Sequence, residues 1–304
     1  MTRRILLTLL CGITLLFACN TASAQLKALI IDGQNNHNWR ATTPVLKDIL
    51  EKSGRFTVDV ATTPTKKDKE ANKDEYYKNL AAFKPDFAKY DVIVGNYNSC
   101  ETGDDWSDDT KQAFEQYMEN GGGYVSYHAA DNSFPKWGEY NKMIAVAGWG
   151  RPGDFGNFLY YKDGKQFTEK GQGKCGNHGP QHEFLITVRD PNHPITKGLP
   201  EQFMHCKDEL YDSLQGPAEN VSIKGTAFSA KDKGGTDKDE PMLMTITYGK
   251  GRVFHTTLGH AVEMLHSVSF ITTFLRGTEW AATGKVTIPV PEDFPGKDKP
   301  KFRD

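Results

Sequence analysis

Residues 121–131 read GGGYVSYHAAD, and the order of residue types in that stretch decides the fold. Three glycines close a helical pattern. Tyr124, Val125, Ser126 and Tyr127 then form a short apolar strand that ends at His128 and a turn of small residues. In open α/β sheets ligands collect at the carboxyl ends of strands, so a polar residue at that point is a site candidate. His37 and His260 also follow apolar strand-like runs.

On the amino-terminal side, residues 26–32 (LKALIID) form the continuous apolar run that buried parallel strands show. After a turn-rich loop, Thr42 or Thr43 is the expected cap of a helix with Pro44 in its first turn. Val45, Leu46, Ile49 and Leu50 follow at helical spacing, and Gly54 ends the helix. Residues 56–60 alternate as a second strand, residues 61–80 read as a charged, solvated excursion, and residues 91–95 as a third buried strand. Ser107 or Asp108 caps the next helix, whose Phe114, Tyr117 and Met118 share one face. The order β-α-β-β-α-β predicts a parallel sheet with helices on both faces.

Residues 134–179 have little periodicity, which suits a loop-rich functional insertion or lid. Strands are expected at residues 184–188, 221–226, 242–248 and 252–257, the last two joined by a hairpin turn, and a helix over residues 267–281. A Pro- and charge-rich tail then runs extended over the surface.

With 304 residues, 38% hydrophobic, 25% charged and a net charge of −2, the chain lacks the basic stripe that a nucleic-acid partner needs. Residues 1–24 carry a basic start, an apolar run and a small-residue cleavage pattern, the marks of a secretory signal peptide. A periplasmic or secreted location follows. Leu16, Phe17, Ala18 and Cys19 loosely resemble a lipoprotein processing site, so a membrane enters only if Cys19 is lipidated. Three cysteines remain after cleavage: Cys175 and Cys206 could form one bridge, and Cys100 reads as a buried free thiol.

Neutral imidazole is the commonest metal ligand and the usual acid–base group near neutral pH. Three histidines at strand ends, His37, His128 and His260, therefore suggest one site holding a divalent metal such as zinc, nickel or manganese. His255 and His266 lack that placement and read as structural. His178 and His182 have the spacing of zinc helices, but the intervening Gly179 and Pro180 make a loop, which could still deliver imidazoles together with Glu183. Asp208, Glu209 and Asp131 are the other carboxylates that could orient an imidazole or act as a base. Trp39, Trp106, Trp137 and Trp149 fall in expected loops, where they suit sugar stacking. Residues 171–176 match GxGxxG with no strand before or helix after. The chain also has no P-loop, so no nucleotide cofactor is expected.

These stretches together resemble the ThuA-like (trehalose-utilisation) family. The resemblance rests on residues 33–39, 121–131, 178–183, 193–200, 208–211, 249–260 and 276–281, and it makes residues 25–285 one domain and residues 286–304 a tail. It implies a flavodoxin-like, class I glutamine-amidotransferase-like doubly wound sheet. In that fold a cysteine nucleophile occupies the turn after the central strand. Here Tyr127, His128 and Ala129 stand there, so glutamine hydrolysis is not expected. The resemblance implies carbohydrate metabolism, often beside enzymes that make and use 3-keto sugars; Trp39, His178, His182 and Tyr211 are the expected sugar contacts. Hydrolysis, elimination or isomerisation would then use the histidines with Asp208, Glu209, Glu183 and Asp131. Two alternatives remain: a non-catalytic carbohydrate-binding or sensing module using the same cleft, and a cysteine-dependent hydrolase through Cys100.

Overall fold

The computed structural model describes residues 24–99, 102–150, 155–171 and 173–303. The expected leader, apart from Ala24, and Cys100 lie outside the described residues. The chain begins β1 (Leu26–Asp32), α1 (Trp39–Lys52), β2 (Phe56–Thr62), α2 (Lys66–Ala71), α3 (Lys73–Ala82), β3 (Val92–Gly95), α4 (Asp108–Glu119), β4 (Gly123–Tyr127) and α5 (Gly138–Ile144). Short strands follow as β5 (Asn157–Lys162), β6 (Lys165–Lys170), β7 (Asn177–His178), β8 (His182–Val188), β9 (Gln202–Asp208), β10 (Tyr211–Asp212) and β11 (Gln215–Gly216). The chain closes with β12 (Val221–Ser229), β13 (Lys238–Tyr248), β14 (Gly251–Thr256), α6 (Val262–Leu265) and α7 (Val268–Thr283).

One sheet runs in the order β2-β1-β3-β4-β14-β13-β12-β8-β9. From β2 to β14 the strands are parallel, with Ile30 opposite Val94, Val94 opposite Val125 and Val125 opposite Phe254. The remaining strands are antiparallel. The parallel half is buried on both faces, which explains the unbroken apolar runs in β1, β3 and β4. Val125 and Phe254 pack with Leu46 and Leu50 of α1 and Phe270 and Phe274 of α7. Tyr124 and Val253 pack with Phe114 of α4 and Tyr140 of α5. On the α7 side the approach is close: a Cβ on Gly277 would sit 2.1 Å from the Phe254 ring.

The structure differs from the sequence expectation in four places. The parallel pattern covers only half of the sheet, because the hairpin after Tyr248 reverses the chain. α1 begins at Trp39, leaving Pro44 inside it, because the Thr42 and Thr43 hydroxyls accept hydrogen bonds from Asn96 (3.0 and 2.9 Å) instead of capping the helix. Residues 61–80 are not a loose excursion: Thr65 and Asp68 form a capping box for α2, and Asn72 caps α3. Only Tyr76 and Leu80 of that pair are buried, so no apolar stripe announces it. Cys175 and Cys206 are both free and buried. Cys175 donates to the Ala147 carbonyl, and Cys206 lies beside His205.

The insertion at residues 134–179 holds α5, the β5–β6 hairpin and β7. The tail runs extended along the body, where Gly296 accepts from the Met204 amide and Lys301 from the Val268 amide. Among the described residues no helix is long and apolar enough to cross a membrane.

Glu240 of β13 sits fully buried beside Asp212. Burial, with help from Asp212, pushes its carboxyl up to about 7, while the Thr236 hydroxyl only partly offsets this. Below the ordinary value of 4.5 both folded and unfolded chains hold the proton. Between 4.5 and about 7 only the folded chain does, so stability falls as pH rises through that window and stays reduced above it. Glu240→Gln should therefore gain stability over wild type as pH goes from 5 to 8, by up to about 3 kcal/mol. Denaturant melts across that range measure the difference, and a gap that does not widen with pH contradicts the reading.

Candidate metal centre

Four segments end at the same edge of the sheet. His37 lies in the loop after β1, His128 directly follows β4, His260 follows β14, and Glu209 follows β9. Their rings converge: centroids are 4.7 Å apart for His37 and His128, 4.6 Å for His37 and His260, and 5.5 Å for His128 and His260. One ligand atom from each of the three imidazoles and from the Glu209 carboxylate lies within 4.8 Å of the others. A cavity of ≈ 660 Å³ at the opposite ends of the strands, lined by Lys84, Phe87, Tyr117 and Gly121, has no histidine in its wall.

Hydrogen bonds set which nitrogen each ring offers. His37 Nδ1 is 3.0 Å from the Asn35 side-chain oxygen, and His128 Nδ1 is 2.7 Å from the Thr257 carbonyl. Those oxygens can only accept, so both Nδ1 atoms carry the proton and both Nε2 atoms present lone pairs. His128 adopts φ +44°, a strained backbone for a residue with a Cβ, and that turn aims its ring. His260 Nδ1 lies 3.0 Å from Glu209 Oε2 yet makes no aligned hydrogen bond, which leaves a buried nitrogen facing the cluster. Three nitrogens and one carboxylate oxygen are a donor set that zinc, nickel or manganese accepts, so these residues fit a divalent ion.

The electrostatics agree. Burial, reinforced by His128 and His260, lowers His37 to about 3. Burial also lowers His128. Both rings are neutral near pH 7. Burial alone would raise Glu209, but the His260 contact and the imidazoles of His128 and His178 outweigh it and hold the carboxylate charged. Glu209 in turn raises His260.

Behind the cluster stands Asp208, fully buried and hydrogen-bonded rather than ligating. It accepts from the amides of Gly259 (2.7 Å), His260 (3.2 Å) and Glu209 (2.8 Å), and from His205 Nε2 (2.9 Å). Burial opposes charge on both groups. The pair and its hydrogen bonds nevertheless bring Asp208 down to about 2, and His205, beside Cys206 and Asp208, goes up to about 9.

The sequence profile of the ThuA family, described as trehalose utilisation, matches residues 27–281. The chain belongs to the ThuA family. A ThuA-like protein from Parabacteroides merdae is 44% identical and superposes with a TM-score of 0.85, over 92% of this chain and 98% of that one. A second, from Bacteroides uniformis, is 22% identical with a TM-score of 0.57, over 89% and 97%, and shows the shared fold. No curated protein matches. The architecture is the flavodoxin-like α/β sheet expected of a ThuA-family chain.

Within this ThuA-family site the structure brings His37, His128, His260 and Glu209 together and sets Asp208 behind them. His178 reaches the edge, its Nε2 3.6 Å from Glu209 Oε1, and the Tyr211 hydroxyl lies 2.8 Å from His128 Nε2. His182 and Glu183 stay outside: the His182 ring bonds the Pro180 carbonyl, and Glu183 is exposed. Asp131 is buried next to His255, 3.9 Å away, and is not part of the cluster. Trp39 does not offer a free face, since it is buried with the Arg40 guanidinium 4.2 Å over its ring. Trp106 and Trp137 are core, packed edge-to-face against Phe114 and Phe134. Of these four expected stacking tryptophans Trp149 flanks the site, 4.4 Å from the Tyr211 ring and stacked on His178.

His205 was not legible as a site residue. On a regular strand positions 205 and 208 point to opposite faces. The pairing of β8 with β9 slips, with His182 opposite Asp208 but Phe184 opposite His205, and this bulge turns both side chains together. Removing the carboxylate leaves a buried charged imidazole and three backbone amides unpaired. Asp208→Ala should therefore lower unfolding free energy by about 3–5 kcal/mol. Chemical denaturation measures this, and a loss under 1 kcal/mol would show that the network does not hold the loop.

Proposed function

We propose that this chain is a periplasmic or secreted carbohydrate-metabolism protein that holds zinc, nickel or manganese between His37, His128, Glu209 and His260. It acts by hydrolysis, elimination or isomerisation of an oxidised, keto-type glycoside or disaccharide. The observation that carries this is the convergence of three imidazoles and one carboxylate within 4.8 Å, beneath an edge lined by an aromatic ring. Family membership supports a carbohydrate role, and the leader pattern of residues 1–24 supports export.

Each residue has a task in this reading. A divalent cation held by these residues would supply Lewis acidity and would lower the pKa of a water beside it. His37 and His128 present neutral lone pairs, and Glu209 contributes the negative charge that offsets a dication. His178 donates its Nδ1 hydrogen to the Gly179 carbonyl, so the half-exposed Nε2 can take a proton from a sugar hydroxyl at the mouth of the site. Trp149 offers a ring for the apolar C–H face of a pyranose. Gly176 lets it come close, since a Cβ there would sit 2.2 Å from the indole.

Elemental analysis of purified wild type beside His128→Ala tests the centre. Near-stoichiometric metal in the wild type and its loss in the variant is the expected result; no metal in either sample sinks the proposal. Calorimetry with a panel of disaccharides and keto-glycosides tests the wall. Trp149→Ala should weaken binding about tenfold, the effect of about 1.4 kcal/mol, with metal content unchanged. Equal affinity in the two proteins would remove Trp149 from the sugar site.

A further inference from the structure

His128 has one lone pair, and two partners claim it. The Thr257 carbonyl fixes the ring proton on Nδ1, so Nε2 is bare. The Tyr211 oxygen stands 2.8 Å from that bare nitrogen and therefore donates its hydroxyl hydrogen to it. The same Nε2 is the atom His128 has to offer a cation shared with His37, Glu209 and His260. A single lone pair cannot serve both.

We propose that Tyr211 is a latch on the metal centre: its hydroxyl occupies His128 Nε2 in the ion-free protein and is displaced when a divalent cation takes that nitrogen. The inference rests on the metal reading of the site and adds its regulation. A second observation supports it. Tyr211 is buried, so a displaced O–H needs another acceptor inside the protein. Asp131, fully buried like Tyr211, is a candidate acceptor. Both of its oxygens are buried and without a hydrogen-bond partner among the described residues. Buried carboxyl oxygens are seldom left unpaired, and a second resting place for the Tyr211 hydrogen, reached directly or through a water, accounts for these.

The test is zinc affinity, measured on metal-stripped wild type and Tyr211→Phe by competition with a chromophoric chelator. Phenylalanine keeps the ring that packs on Trp149 and removes only the hydroxyl. Freed from the competing hydrogen bond, Tyr211→Phe should bind zinc about fivefold tighter, the equivalent of about 1 kcal/mol. Equal or weaker affinity in a variant that melts like wild type overturns the latch. The wild type alone gives an independent reading, because zinc should perturb the near-ultraviolet spectrum of a buried tyrosine. A flat difference spectrum at saturating zinc also overturns it. If neither protein takes up zinc, the metal reading falls and the latch with it, whereas an unfavourable affinity ratio removes only the latch.

Discussion

The Asp208 carboxylate accepts hydrogen bonds from three backbone amides and one imidazole, and the geometry of the candidate centre depends on it. Two of those amides belong to Gly259 and His260, beyond the end of β14, and the third to Glu209, beyond the end of β9. The two segments lie far apart in the sheet order, so no ladder of backbone bonds joins them. A buried charge with this many donors stays ionised in spite of burial. His205, held by Ser269 of α7 on its other nitrogen, balances that charge. The carboxylate thereby ties α7, β9 and the His260 loop into one rigid frame.

Around that frame the polar contacts divide the labour. Backbone and side-chain carbonyls take the Nδ1 hydrogens of His37 and His128, which turns both Nε2 atoms toward one space without any charge being added. Neutral rings can crowd to centroid distances below 5 Å, as His37 does with both neighbours; imidazolium rings would repel. Glu209 then provides a negative charge in direct contact with the His128 and His260 rings. The arrangement lowers the cost of gathering three imidazoles and leaves their lone pairs as the feature the site presents.

The short ribbon of β7 and β10 gives the site its wall. His178 and Tyr211 are paired across it and face the imidazoles, while Asp212, the next residue in β10, is buried on the other side against Ser229. Strand alternation thus separates the metal-facing residues from the structural ones within two residues.

Much of the centre was legible because its histidines sit at strand ends, and strand ends show in sequence as apolar runs that stop. The runs before His37, His128 and His260 are buried on both faces, so their composition alone marked them. Glu209 could be named as a carboxylate but not ranked above Asp208, Glu183 or Asp131, since all four are acidic residues in turn-rich surroundings. Trp106 and Trp137 looked like loop residues because aromatic clusters formed between distant segments leave no periodic trace, and Trp39 because it only opens α1. The helices over residues 66–82 were hidden for a related reason: their caps are local, but their buried face is only two residues wide. By itself the sequence determined the parallel half of the sheet and the placement of three imidazoles at its carboxyl edge, because burial on both faces dictates composition residue by residue. Only the tertiary structure decided which carboxylate joins them and which holds them from behind, because that choice rests on a β9 bulge and hydrogen bonds between segments far apart in the chain.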